Sequence, residues 1–207
     1  MWLTIILAAI LFACLASMVT GGLWNNALIF VNVVTAALLA SNYWEPLAIW
    51  LQKQRPDFTY YADFIAQWAL FVLCMVVLRG VTDLLSRVKV RFKKPVNLAG
   101  GILFALWTGW MLVCFTTWTL HTAPLAQSPL GGEFAPTPDE RMFLGLGPDR
   151  LWLGFLHKQS TGAMRRGGTA QNPNLHEFDP QGEYLFKYAE RRKRFESEMA
   201  ERVNVKK

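Results

Sequence analysis

Residues 1–44 carry no charged side chain, and neither do residues 95–120. A third apolar stretch, 64–78, lies between these runs. A bilayer crossing takes about 20 predominantly apolar residues, roughly 17–25 in practice. The opening run is long enough for two crossings, and Thr20-Gly21-Gly22 followed by Asn25 and Asn26 divides it. The pattern therefore predicts four transmembrane helices over 2–19, 27–44, 64–78 and 96–120. The third is only fifteen residues long, but Tyr60, Tyr61 and Trp68 suit one interface and the stem of Arg79 can snorkel at the other. A cleaved signal peptide would place basic residues ahead of its apolar core, whereas here Trp2 follows Met1 directly, so the first segment is read as a helix.

The fold class expected is an all-α integral membrane protein. It has a membrane domain over 1–120, a linker over 121–148 rich in Pro and Gly, and an extramembrane tail over 149–207. In the tail, Asp149 is placed to cap a short apolar helix over 150–157 that docks on the bundle or the membrane surface. Residues 159–182 return to Gly, Asn and Pro and read as loop. A charged helix follows over 183–203, with i,i+4 pairs such as Glu190 and Arg194; its narrow apolar seam of Tyr184, Tyr188, Phe195 and Met199 suits docking or pairing, and a merely solvated helix is the equal alternative.

Charge then orients the bundle. The net charge is +6, and residues 79–94 hold six basic side chains (Arg79, Arg87, Lys89, Arg91, Lys93, Lys94) against Asp83 alone. Short loops rich in Lys and Arg stay cytoplasmic. That puts the loop after the third helix inside, and the amino terminus, the 45–61 loop and the whole tail outside. Within the inner loop, Val81, Leu84, Leu85 and Val88 follow helical spacing, which fits a helix in the headgroup plane beside anionic lipid. The simpler role for the same charges is to fix topology. The run from Arg191 to Arg194 lies on the outer side in this arrangement, so no nucleic-acid partner is expected.

Inside the spans, Gly101, Ala105 and Gly109 recur every four residues, with Gly100 beside them. Small-residue stripes let helix backbones approach closely in lipid, here either within the bundle or against a second copy or another membrane protein. Asn32, Thr35 and Gln67 are the intramembrane polar residues, more suited to joining helices than to lining a solute path. No Asp, Glu, Lys, Arg or His lies deep in a span, which disfavours a coupled transporter. Cys14, Cys74 and Cys114 fall inside predicted helices, without the electropositive setting of a reactive thiol. His176, Glu177 and Asp179 lack paired metal-ligand spacing, and no nucleophile has a base nearby in sequence. The expectation is a non-enzyme without metal or cofactor.

Several of these elements occur together in a known order. Gly22 and Ala27, then Ala36-Ala37 and Ala40-Ser41-Asn42-Tyr43, then a third helix, a basic loop, and Asn97 leading into Gly101, Ala105 and Gly109 resemble the colicin V production protein (CvpA) family over about residues 1–120. The resemblance implies a multi-pass protein of the bacterial inner membrane, linked to colicin V export and envelope tolerance. Where members of that family commonly carry charge, this chain has Thr4, Asn25, Asn26 and Leu98. Some relatives add an outer-side protease domain after the fourth helix; residues 121–207 are too few for it. The function expected is an accessory in toxin export or envelope maintenance. A pore or carrier built by oligomerisation, or an anchor whose tail recruits an outer-side partner, are the alternatives.

Overall fold

The computed structural model describes residues 2–86, 90, 92–125, 141–162 and 177–205. Six α-helices follow in order: α1 (Trp2–Met18), α2 (Gly22–Gln54), α3 (Thr59–Leu85), α4 (Lys94–Leu120), α5 (Pro148–Thr161) and α6 (Tyr184–Val205), with a short 3-10 turn (Pro56–Phe58) between α2 and α3. There is no strand among the described residues. Three helical segments, Gly22–Gln54, Pro56–Leu85 and Lys94–Leu120, are long and apolar enough to cross a membrane, and α1 is a shorter apolar helix of 17 residues.

α2 and α3 outrun their apolar segments at both ends, and the longest extension of each has a local reason. The helix expected to stop at Trp44 runs on past Glu45 and Pro46 to Gln54. It ends at Gln54, and Arg55, the residue before Pro56, is extended (φ −141°, ψ 89°), the conformation that a following proline ring favours. Most of the outer loop expected over 45–61 is therefore helix. At the other end of the hairpin, α3 continues beyond Leu78 through Arg79 to Leu85, and Arg79 pairs with Asp83 one turn on at 3.0 Å. Val81, Leu84 and Leu85 thus belong to the last turns of α3 rather than to a separate helix in the headgroup plane. Val88, Arg87, Lys89 and Arg91 lie outside the described residues; Lys93 precedes α4 and Lys94 begins it.

The chain runs up and down. α2 and α4 lie parallel at the centre, matched from the same end by Leu23 N–H donating to Asn97 Oδ1 (3.0 Å) and by Phe30 against Phe104 (5.7 Å) and Trp107 (5.9 Å). α3 returns along α2, with Asn32 Nδ2 donating to Thr82 Oγ1 at 3.0 Å near one end and Gln52 beside Asp63 at the other. α1 runs antiparallel to α4: Leu3 and Leu7 pack with Val113, Leu11 covers Gly109, and Cys14 sits against Ala105.

The small-residue stripe is the seam that makes this closeness possible. A Cβ built on Gly101 would come within 3.2–3.4 Å of the backbone of Gly22 and Leu23. One on Gly109 would meet Leu11 Cδ1 at 2.8 Å, and one on Gly100 would meet Leu23 Cδ1 at 2.2 Å. Ala105 is fully buried. Leu in place of Gly101 is expected to cost about 1–3 kcal/mol, because backbone and not a flexible side chain blocks it. Ala99→Leu, at an exposed position two residues earlier, is the control. Equal melting of both variants in detergent would mean the seam carries no packing energy.

Candidate functional site

At one end of the bundle, that of the α2 and α4 amino termini, an open cleft of about 600 Å³ is lined by Trp24, Asn25, Arg79, Asp83, Ser86 and Asn97 among others. Arg79 Nη2 donates to Asn25 Oδ1 at 3.3 Å, and Trp24 Nε1 donates to Ser86 Oγ at 2.8 Å, so the cleft walls join α2 to α3. Asn26 Nδ2 donates to Met18 O (2.7 Å) and Gly101 O (2.9 Å), which ties the carboxyl end of α1 to α4. Asn25 and Asn26, uncharged where the family resemblance leads one to expect charge, act here as hydrogen-bonding links.

The opposite end holds a buried polar junction between bundle and tail. Thr122 Oγ1 donates to Gln67 Oε1 at 2.9 Å, joining the end of α4 to α3. Asp63, 5% exposed, accepts from the Tyr188 hydroxyl at 3.1 Å and forms an ion pair with Arg191 of α6. Arg191 Nη2 also donates to Thr59 O at 2.6 Å, and the guanidinium lies over the rings of Tyr60 and Tyr188, 5.7 Å from each centroid. Arg192 Nη1 donates to the carbonyl of His121 at 3.0 Å. Tyr184 stacks on Trp118 (5.8 Å), with its hydroxyl facing the Gln67 amide without an ordinary hydrogen bond. Desolvation raises the phenols of Tyr184 and Tyr188 above the usual tyrosine range and lowers the guanidinium of Arg192.

α5 closes the junction from the side. Pro148 opens the helix after Gly147, whose left-handed backbone (φ 59°) suits glycine. Asp149 is not the cap expected of it: it lies inside the first turn, 3% exposed, with Oδ2 3.1 Å from His121 Nε2. Trp152 Nε1 donates to Ser41 Oγ of α2 at 3.2 Å, and its ring meets Phe115 edge-on.

Burial lowers the pKa of His121 from 6.5, outweighing the opposing pull of Asp149. A histidine whose folded pKa lies below its unfolded value binds fewer protons when folded, so its contribution is complete above about pH 6.5 and declines as pH falls toward the lowered value. Tail docking is expected to loosen on acidification below that point, read as faster proteolysis of α6. The His121→Gln variant should flatten the pH dependence; an unchanged slope would remove His121 as its source.

Of the intramembrane polar residues read from the sequence, Asn32 and Gln67 bond between helices, and Thr35 is half-buried on α2. Sequence reasoning missed Asp63, His121 and the bonding role of Ser41; Ser41 and Asp63 bond to tail residues 111–128 positions away, and His121 to Asp149, 28 away. The seam of Tyr184, Tyr188 and Phe195 did mark a docking face, and Phe195 meets Tyr60 at 5.0 Å. Asp179 accepts from Glu183 N–H at 2.7 Å and so steadies the start of α6; His176 lies outside the described residues. No group of three or more potential metal ligands occurs among the described residues. The three cysteines are free thiols.

Long apolar helices joined by such bonds define a multi-pass, all-α membrane protein. Residues 3–133 match the colicin V production protein family, and the chain belongs to it. No curated protein and no solved structure matches the chain.

Proposed function

We propose that this chain is a non-enzymatic accessory protein of a bacterial inner membrane that serves colicin V export or envelope maintenance, with both termini on the outer side. Family membership supports the process. The observation that favours a scaffold over a pore or carrier is the bonding of Asn32 to Thr82 and of Gln67 to Thr122, across helices rather than into the cleft. The basic residues Arg79, Lys93 and Lys94, together with Arg87, Lys89 and Arg91, then hold the inner loop against anionic headgroups or fix its side of the membrane. Self-association or a second membrane protein supplies the partner in this reading.

Two measurements test it together. In a chain whose native cysteines are replaced, Cys at Ser128 should react with an impermeant outer-side reagent and Cys at Ser86 should not. The same chain should restore colicin V secretion to a producing strain that lacks its own family member. Reversed labelling overturns the orientation, and correct labelling without any secretion overturns the export role.

A further inference from the structure

We propose that residues 142–147 form a turn that inserts into the hydrocarbon of the leaflet at the carboxyl end of α4. The segment Met142-Phe143-Leu144-Gly145-Leu146-Gly147 carries no charge and is flanked by Arg141 on one side and Asp149 and Arg150 on the other. Its first two residues are anchored: Met142 and Phe143 are buried against Leu3 and Leu7 of α1 and Val113 of α4, and the Phe143 ring lies 6.0 Å from that of Trp110. Its next apolar residues are not, since Leu144 is 83% exposed and Leu146 52% exposed.

Depth identifies what covers them. Trp110 precedes the end of α4 by ten residues, about 15 Å along the axis. The 27 residues of α4 span about 40 Å against a hydrocarbon core of about 30 Å, so a core centred on α4 places Trp110 about 10 Å inside its boundary. The anchored side of the turn reaches that level. Leu144 and Leu146 are exposed, as are Trp2, Ile5 and Ile6 of α1, the helix against which Met142 and Phe143 pack.

Lipid holds no water to satisfy backbone polar groups, and two amides of the turn are paired within it. Leu146 N–H donates to Phe143 O, and Gly147 N–H donates to Met142 O, both at 3.1 Å, so the turn closes on itself. Phe143 and Leu144 are held left-handed (φ 54° and 56°), a conformation uncommon for non-glycine residues, and Phe143 faces the bundle while Leu144 faces away from it. Acyl chains therefore occupy the face of Leu144 and Leu146. This rests on the membrane-protein assignment and holds for either orientation.

A nitroxide on Leu144→Cys tests it, in the full chain with native cysteines replaced, reconstituted into phosphatidylethanolamine and phosphatidylglycerol vesicles. Leu146→Cys serves if that variant does not fold. Relaxation by oxygen should dominate relaxation by a water-soluble nickel chelate, as at lipid-facing Leu106, and opposite to exposed Lys187 of α6. Nickel-dominated relaxation like that at Lys187 would overturn the insertion. Protection from both agents would mean that protein, such as a second copy, covers the turn, and would overturn the lipid assignment. Nickel access at Leu106 itself would instead overturn the membrane placement of α4.

Discussion

Asp63→Asn is expected to release α6 from the bundle while leaving α1–α4 folded. The carboxylate of Asp63 collects three donors, Gln52 Nε2 at 3.4 Å, the Tyr188 hydroxyl at 3.1 Å, and Arg191. Asparagine has nearly the same shape but no charge, so Arg191, with only 24% of its side chain exposed, keeps its positive charge without the partner it was docked for. Removing one member of a largely buried pair costs about 3–5 kcal/mol, mostly through the charge left behind. The partial exposure of Arg191 puts this site at the lower end, about 3 kcal/mol. Trypsin should then cut at Arg191–Arg194 much faster than in the parent chain. A double-mutant cycle with Arg191→Gln separates the pair from its surroundings: if the two losses simply add, Asp63 and Arg191 are not coupled and the junction is held by its aromatic contacts instead.

The membrane domain was legible because one long-range force dominates it. Uncharged runs of the right length report exclusion from water without reference to any partner, and four helices followed from that alone. Their ends were less legible, since polar residues extend a helix beyond the apolar run when something pairs with them. Arg79 is carried in α3 by Asp83, a partner one turn away that local spacing could have revealed. Asp63 is carried by Arg191, 128 residues on, which no local pattern contains. At Pro56 the ring disfavours helical backbone at Arg55 and α2 stops, whereas Glu45 near an interface stays hydrated and Pro46 is carried inside the helix.

The candidate site was legible by parts and not as an assembly. Gln67 stood out as a polar residue in an apolar run, but Thr122 and His121 read as the first residues of a linker, and Asp149 read as a cap. Capping and burial make opposite demands on an aspartate, and the proline at 148 settled the matter by taking the first helical position itself. The spacing of Tyr184, Tyr188 and Phe195 showed that α6 has an apolar face. It said nothing of the fact that the face meets Trp118 and Tyr60 on two different helices.

Trp152→Ala is expected to be as damaging as any substitution in the tail. Trp152 is 1% exposed, meets Phe115 edge-on at 5.8 Å and Phe155 at 5.5 Å, and spends its one donor on Ser41. Truncating a buried aromatic of this kind typically costs about 3–5 kcal/mol, the lost transfer energy plus the cavity left between elements that cannot close on it. Trp152→Phe keeps a ring against Phe115 and gives up the hydrogen bond, so it should cost about 1 kcal/mol from that term. The order Ala worse than Phe, measured by thermal unfolding in detergent, is the signature of a packed contact. It also bears on function: if α5 is part of the membrane bundle, Trp152→Ala should lower the melting temperature of the whole chain, whereas a tail that serves only to recruit an outer-side partner should unfold alone and leave the α1–α4 transition where it was. Equal, small effects of Ala and Phe would remove α5 from the bundle and favour the anchor reading over the scaffold.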